Sequence, residues 1–176
     1  MSRPLVIITA LAIGLGGCVG TPVPVAAPVA MTASSTPDFV SMAGSSTLLE
    51  IESSRLALRQ AESGSVRDFA NRMIRDHGQA TKRMTTVLRS AGLAPAAPAL
   101  SPRHQAMLDQ LAATPAESFD GAYMALQAQA HEEAVALFSD YARNGDNARL
   151  ASFARQTLPT LQMHARQVAK IGGTRG

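Results

Sequence analysis

The stretch that decides the fold is TPAESFDGAYMALQAQAHEEAVALFSDYAR, residues 114–143. Phe119, Tyr123, Leu126, Ala130, Ala134, Leu137 and Tyr141 recur at steps of three and four, the repeat of one face of an α-helix. Thr114-Pro115-Ala116-Glu117 reads as its start, with a capping threonine, proline at the first helical position and an early acid. His131 lies on the same inner side, near Met124, Val135 and Phe138.

The same grammar extends both ways. Downstream, Asn144-Gly145-Asp146 is a turn. A helix to about Ile171 follows, striped by Leu150, Phe153, Thr157, Leu161, Val168 and Ile171, with Pro159 inside it predicting a kink. Upstream, Ser101-Pro102 opens a short helix through Leu111, and the Pro- and Ala-rich segment from Gly92 to Leu100 breaks the chain before it. A second long helix runs from a capping box at Ser65-Val66-Arg67-Asp68 to about Ala91, with Val66, Phe69, Ala70, Met73, Ala80, Met84 and Leu88 inward. The first begins at Pro37-Asp38, with Asp38 as cap, and carries Phe39, Met42, Leu49 and Leu56 on one side to about residue 62. No segment alternates as a half-buried strand does. The pattern predicts an all-α protein: an up-and-down four-helix bundle over residues 38–172, with a short extra helix between its second and third helices.

The N-terminus reads as an address. Arg3 precedes Leu5–Leu15 (LVIITALAIGL), an uncharged apolar run too short for a membrane span, which needs about 20 residues. Leu15-Gly16-Gly17-Cys18 resembles the bacterial lipobox. That resemblance implies that residues 1–17 are an export signal and that Cys18 becomes a lipid-bearing first residue. Residues 18–37 are free of charge, and Pro22, Pro24 and Pro28 favour an extended tether. Cys18 is the single cysteine of the 176-residue chain, so an internal disulfide is impossible. The expected location is the cell envelope, lipid-anchored. Val19, where an aspartate would favour inner-membrane retention in enteric bacteria, permits the outer membrane, facing the periplasm. The formal net charge of +3 is mild, and an anchored envelope protein has no call on nucleic acid.

Six strings together resemble a known family: TLLEIES (47–53), FANRMIRDH (69–77), SPRHQAMLDQL (101–111), SFDGAYM (118–124), HEEAVALF (131–138) and TLPTLQMH (157–164). Their order is similar to that of bacterial domain-of-unknown-function family 4142, over residues 38–171. The resemblance implies a ferritin-like bundle and an outer-membrane or periplasmic location, and leaves activity open. The family's third-helix motif usually reads Asp-His; here it is Ala130-His131.

Chemistry concentrates in the histidines, of which the chain has four. His77, His131 and His164 each fall on an inward stripe, on three different helices. On the first helix Glu50 and Glu52 flank the stripe, and Glu52 completes the candidate metal set His77, His131, His164, Glu52. Imidazoles with a carboxylate suit Zn, Fe, Mn or Cu, so the possible cofactor is a transition metal ion. The Glu-x-x-His pattern of di-iron bundles is lacking, because Ile74 and Leu161 stand three residues before His77 and His164. The other reading of the same histidines is a hydrogen-bonded polar network that fixes helix register. His104, early in the short helix, is expected to be exposed. Gly78 beside His77 either leaves room for the ring or is neutral. Arg67, Arg75, Lys82 and Arg89 line an outer face, as a solvated surface or as a contact for anionic lipid, cell-wall polymer or an envelope partner. No nucleophile elbow, phosphate loop or serine–histidine triad is present, so no enzyme class is indicated. Three functions remain: a non-catalytic envelope lipoprotein in binding or stress protection, a metal-binding or redox protein, and an interaction module.

Overall fold

A computed structural model describes residues 35–173. The expected export signal, Cys18 and the tether as far as residue 34 lie outside the described residues. Five helices follow in order: α1 (Thr36–Gln60), α2 (Gly64–Ser90), α3 (Pro102–Ala112), α4 (Ala116–Asn144) and α5 (Ala148–Gly173). Among the described residues no helix is long and apolar enough to cross a membrane.

The helix ends follow local hydrogen-bonding needs and refine the expected starts. Ser35, not Asp38, caps α1: its Oγ accepts from the Asp38 N–H at 3.3 Å and donates to Asp38 Oδ2 at 2.6 Å, with Pro37 in the first turn. The expected capping box at Ser65 is not formed. The turn is fixed earlier by Asp120 of α4, whose carboxylate accepts from the N–H groups of Glu62 and Ser63, so α2 starts at Gly64 and Ser65 already lies in the helix. Gly92 closes α2 with φ 75°, and the bonds Leu93 N–H to Leu88 O and Gly92 N–H to Arg89 O complete a Schellman motif. Thr114 does not cap α4, because its hydroxyl donates to the Gln110 carbonyl at the end of α3. Asn147 Oδ1 receives the N–H groups of Arg149 and Leu150 at the start of α5, which then continues through Pro159.

α1 and α4 run antiparallel: Thr36 bonds Tyr141 at one end, while Asp120 holds the residues after α1 at the other. The short turns make α1–α2 and α4–α5 two antiparallel hairpins. α2 and α4 therefore point the same way, and the 91–115 connection must return along the bundle. This is the single-crossover connectivity of ferritin-like bundles. α1 packs on α2 and α4, and α5 closes the square against the same two.

α3 belongs to that crossover and lies on α1 and α4. Arg103 grips Glu133 with two bonds, of 2.8 and 2.6 Å, and Glu133 is almost fully buried. Ser45 Oγ accepts from the Ser101 N–H at 2.8 Å and shares a hydrogen bond of 2.7 Å with His104 Nδ1. His104 is therefore not exposed, as its place near a helix start implied: it is 4 % accessible and seals α3 to α1. Burial pushes its pKa down, helped by the neighbouring Arg103, which keeps it neutral.

Two apolar clusters fill the bundle. One gathers Phe39, Leu137, Tyr141, Leu150, Phe153 and Leu161, with Phe39 stacked on Tyr141 at 3.9 Å between ring centroids. The other gathers Leu49, Phe69, Met73, Tyr123, Leu126 and Val168. Between them, the core carries polar side chains.

Candidate metal centre

All four long helices contribute to this polar layer at the seam of the two clusters. Along α4, Ala130 belongs to one cluster and Ala134 to the other, with His131 between; along α5, His164 stands between Leu161 and Val168 in the same way. α1 supplies Glu50 and α2 supplies His77. Glu50, His77, His131 and His164 are each no more than 3 % accessible.

Every histidine has one nitrogen committed and one free. His77 Nδ1–H donates to Glu50 Oε2 at 2.8 Å. His131 Nδ1–H donates to the Gln127 carbonyl at 2.8 Å, one helical turn back. His164 Nε2–H donates to Asp76 Oδ2 at 3.0 Å. A carbonyl or carboxylate oxygen accepts, so each bond places the N–H on the bonded nitrogen, and the opposite nitrogen presents a lone pair when the ring is neutral. Those opposite atoms, His77 Nε2, His131 Nε2 and His164 Nδ1, are all buried without a hydrogen-bond partner. Ring centroids lie 5.4 to 5.7 Å apart, and one ligand atom from each ring falls within 4.8 Å of the others.

Three clustered imidazoles, each with one nitrogen unpaired and the other held by a hydrogen bond, form a set that suits a transition metal ion. With bonds near 2.0–2.1 Å, tetrahedral ligand nitrogens stand about 3.3 Å apart, so the rings have to draw in by up to about 1.5 Å. A cavity of about 20 Å³, lined in part by Glu50, Asp76, His77, Thr157 and His164, adjoins them. That is room for one water-sized occupant.

Glu52 is not part of the centre. It is partly exposed and pairs with Arg55 at 2.6 Å, one turn along the outer surface. Glu50 takes the inward position, with Oε2 2.8 Å from His77 Nδ1 and Oε1 3.7 Å from His131 Nδ1, so it orients the rings. Sequence reading missed Asp76 and Gln127 as orienters; Asp76 is the neighbour of His77, and Gln127 stands four residues before His131. The departure at Ala130 leaves no gap, since Ala130 packs in an apolar cluster and a backbone carbonyl holds His131. A Cβ at Gly78 would meet nothing within 4 Å, so close packing does not demand glycine beside His77.

The charges of the four groups are coupled. Burial pushes Glu50 up, but His77 and His131 pull its pKa down by more. Burial pushes His77 down, and the charge and hydrogen bond of Glu50, with Asp76, bring it out above its ordinary value. Burial holds His131 below its ordinary value. Burial, against the bond to Asp76, takes His164 down to about 4. An unfolded chain therefore accepts protons near pH 6.5 that folded His131 and His164 refuse, and stability falls as pH drops from 6.5 towards 4. His77 acts the other way: its contribution is full below 6.5 and fades as pH rises through its raised folded value. With two rings against one, the melting temperature of the metal-free protein is expected to decline across pH 6.5 to 4. A flat profile in thermal melts counts against this charge assignment.

The basic residues of α2 do not form one free row. Arg67 donates to the Ala61 and Glu62 carbonyls, Arg75 pairs with Asp76, and Lys82 and Arg89 are exposed.

Fold and centre define an all-α, ferritin-like four-helix domain with a buried histidine–carboxylate layer. The chain belongs to the family described as "Domain of unknown function (DUF4142)", which it matches over residues 21–171. Two solved structures share the fold. A DUF305 fragment from Deinococcus radiodurans is 20% identical with a TM-score of 0.67, over 77% of this chain and 93% of its own. CopM, solved in a Cu(II)-bound form, is 21% identical with a TM-score of 0.66, over 82% of this chain and 99% of its own. No curated protein matches the sequence significantly.

Proposed function

We propose that this is a non-catalytic, envelope-anchored metal-binding domain, in which His77 Nε2, His131 Nε2 and His164 Nδ1 hold one divalent transition ion. The observation that carries the reading is the cluster of three buried imidazoles, each with one unpartnered nitrogen, whose rings bring one ligand atom apiece within 4.8 Å of one another. An unpaired polar atom in the interior costs free energy, and a bound cation answers all three at once. An all-imidazole set follows the usual order of divalent affinities, so Cu(II) is expected to bind more tightly than Zn(II) or Ni(II). The structural neighbour CopM, described as Cu(II)-bound, is consistent with that order. His77 must shed its extra proton before it ligates, so binding tightens as pH rises.

The anchoring half of the proposal rests on the lipobox-like Leu15–Cys18 and the uncharged segment after it, with the domain held at the periplasmic face of the outer membrane. Titration of the metal-free protein with Cu(II) and Zn(II), with metal content read by mass spectrometry, tests the metal half. One ion per chain is expected; a well-folded protein that binds neither ends it. Within the same assay Glu50→Gln, which keeps an acceptor for His77 but removes the charge, is expected to weaken binding about 10- to 100-fold. An unchanged affinity would remove Glu50 from the centre.

A further inference from the structure

A groove of about 510 Å³ runs between α2 and α5, next to the histidine layer. Lys82 and Arg83 border it from α2 and Arg149 from α5, over a floor of Val87 and Phe153. No aspartate or glutamate lines it. Several arginines elsewhere on the surface are engaged: Arg55 with Glu52, Arg75 with Asp76, Arg103 with Glu133, and Arg155 with the Ala142 carbonyl. Among the described residues, the cationic groups of Lys82, Arg83 and Arg149 have no ion pair and donate no hydrogen bond. Three unneutralised cations around a concave, partly apolar surface raise the local concentration of anions, and guanidinium groups match the planar or forked oxygens of carboxylates and phosphates.

Arg83 and Thr157 have a second role. Both also line the small cavity that holds the faces of His77 and His164. The groove and the small cavity therefore adjoin at these two residues.

We infer that the groove is a binding site for a small organic oxyanion, a phosphate- or polycarboxylate-bearing molecule whose apolar part lies on Phe153 and Val87, seated at the mouth of the histidine cavity. The anionic groups are met by Lys82, Arg83 and Arg149. The volume exceeds what a bare inorganic ion fills, which favours an organic body. Binding is a property of the metal-free protein and does not rest on the metal reading. Where both hold, Arg83 and Thr157 border the anion's groove and the cavity beside the ion alike.

The test is calorimetric titration of metal-free protein with citrate and with glycerol phosphate at about 0.15 M salt, where exposed charges are screened beyond roughly 8 Å. A parallel arm measures sedimentation with phosphatidylglycerol vesicles. Saturable binding of either free anion is expected, weakened about tenfold or more in Lys82→Gln/Arg149→Gln and unchanged in Arg72→Gln, a surface arginine outside the groove. Circular dichroism establishes that the double variant is folded. Absence of binding to both free anions overturns the site, as does equal binding by the double variant. Response to vesicles alone also overturns it, because the ligand would then be a membrane surface. Since no metal is added, these outcomes leave the histidine centre to its own titration.

Discussion

Replacing His131 by alanine is expected to cost the protein somewhat over a hundredfold in affinity for Cu(II) or Zn(II). Structural zinc sites release about 10–16 kcal/mol over four ligands, so one ligand stands for about 3 kcal/mol. His131 is the most informative of the three because its ring is steered by the Gln127 backbone carbonyl, which the substitution leaves in place. The loss is therefore the ligand's own. A second readout separates binding from folding. Metal at a hundredfold excess over its dissociation constant stabilises the wild type by about 2.7 kcal/mol, a melting shift of roughly 10 °C in a domain this size. The variant, melted metal-free and with metal, is expected to show no such difference. A variant that folds and keeps the wild-type shift would strip His131 of its role.

Arg103→Met is expected to destabilise the bundle by about 3 kcal/mol. Its partner Glu133 is 2 % exposed at the side chain, and removal of the guanidinium strands a carboxylate inside the protein. Arg103 itself is one-third exposed, and solvent screening places the cost at the low end of the range for a broken buried pair. Gln129, bonded to Glu133 Oε1 at 3.2 Å, softens the loss without replacing the charge. The paired change Arg103→Met/Glu133→Leu removes both charges and is expected to recover most of the stability. Equal melting points for the single and double variants would show that packing, and not the stranded charge, sets the cost.

Helix positions were legible to within two residues at most ends, because apolar repeats on α2, α4 and α5 are strong. The inner face of α1 was not. It steps Phe39, Ala43, Ser46, Glu50, Ser53, Ala57, all buried, and three of the six are polar. Hydropathy cannot set the phase of such a face, so Leu49 and Leu56 drew the stripe aside and Glu52 was chosen over Glu50. The histidines were legible as inward residues, since apolar neighbours flank each of them. Their common depth was not, because periodicity gives angle and not height. That height follows from the antiparallel pairing of α1 with α4 and the return of the crossover. His104 was misjudged for a related reason: its burial depends on Ser45, 59 positions away.

The direction of the crossover divides the centre between two hairpins. Glu50, Asp76 and His77 come from the first, His131 and His164 from the second. Neither half on its own offers three nitrogens: the first hairpin carries His77, the second His131 and His164. A chain in which only one hairpin has formed therefore holds at most two of the three rings, and the full set exists only once both hairpins have packed together. An ion held as proposed would tie one hairpin to the other, so its loading would wait on their assembly and resist their separation.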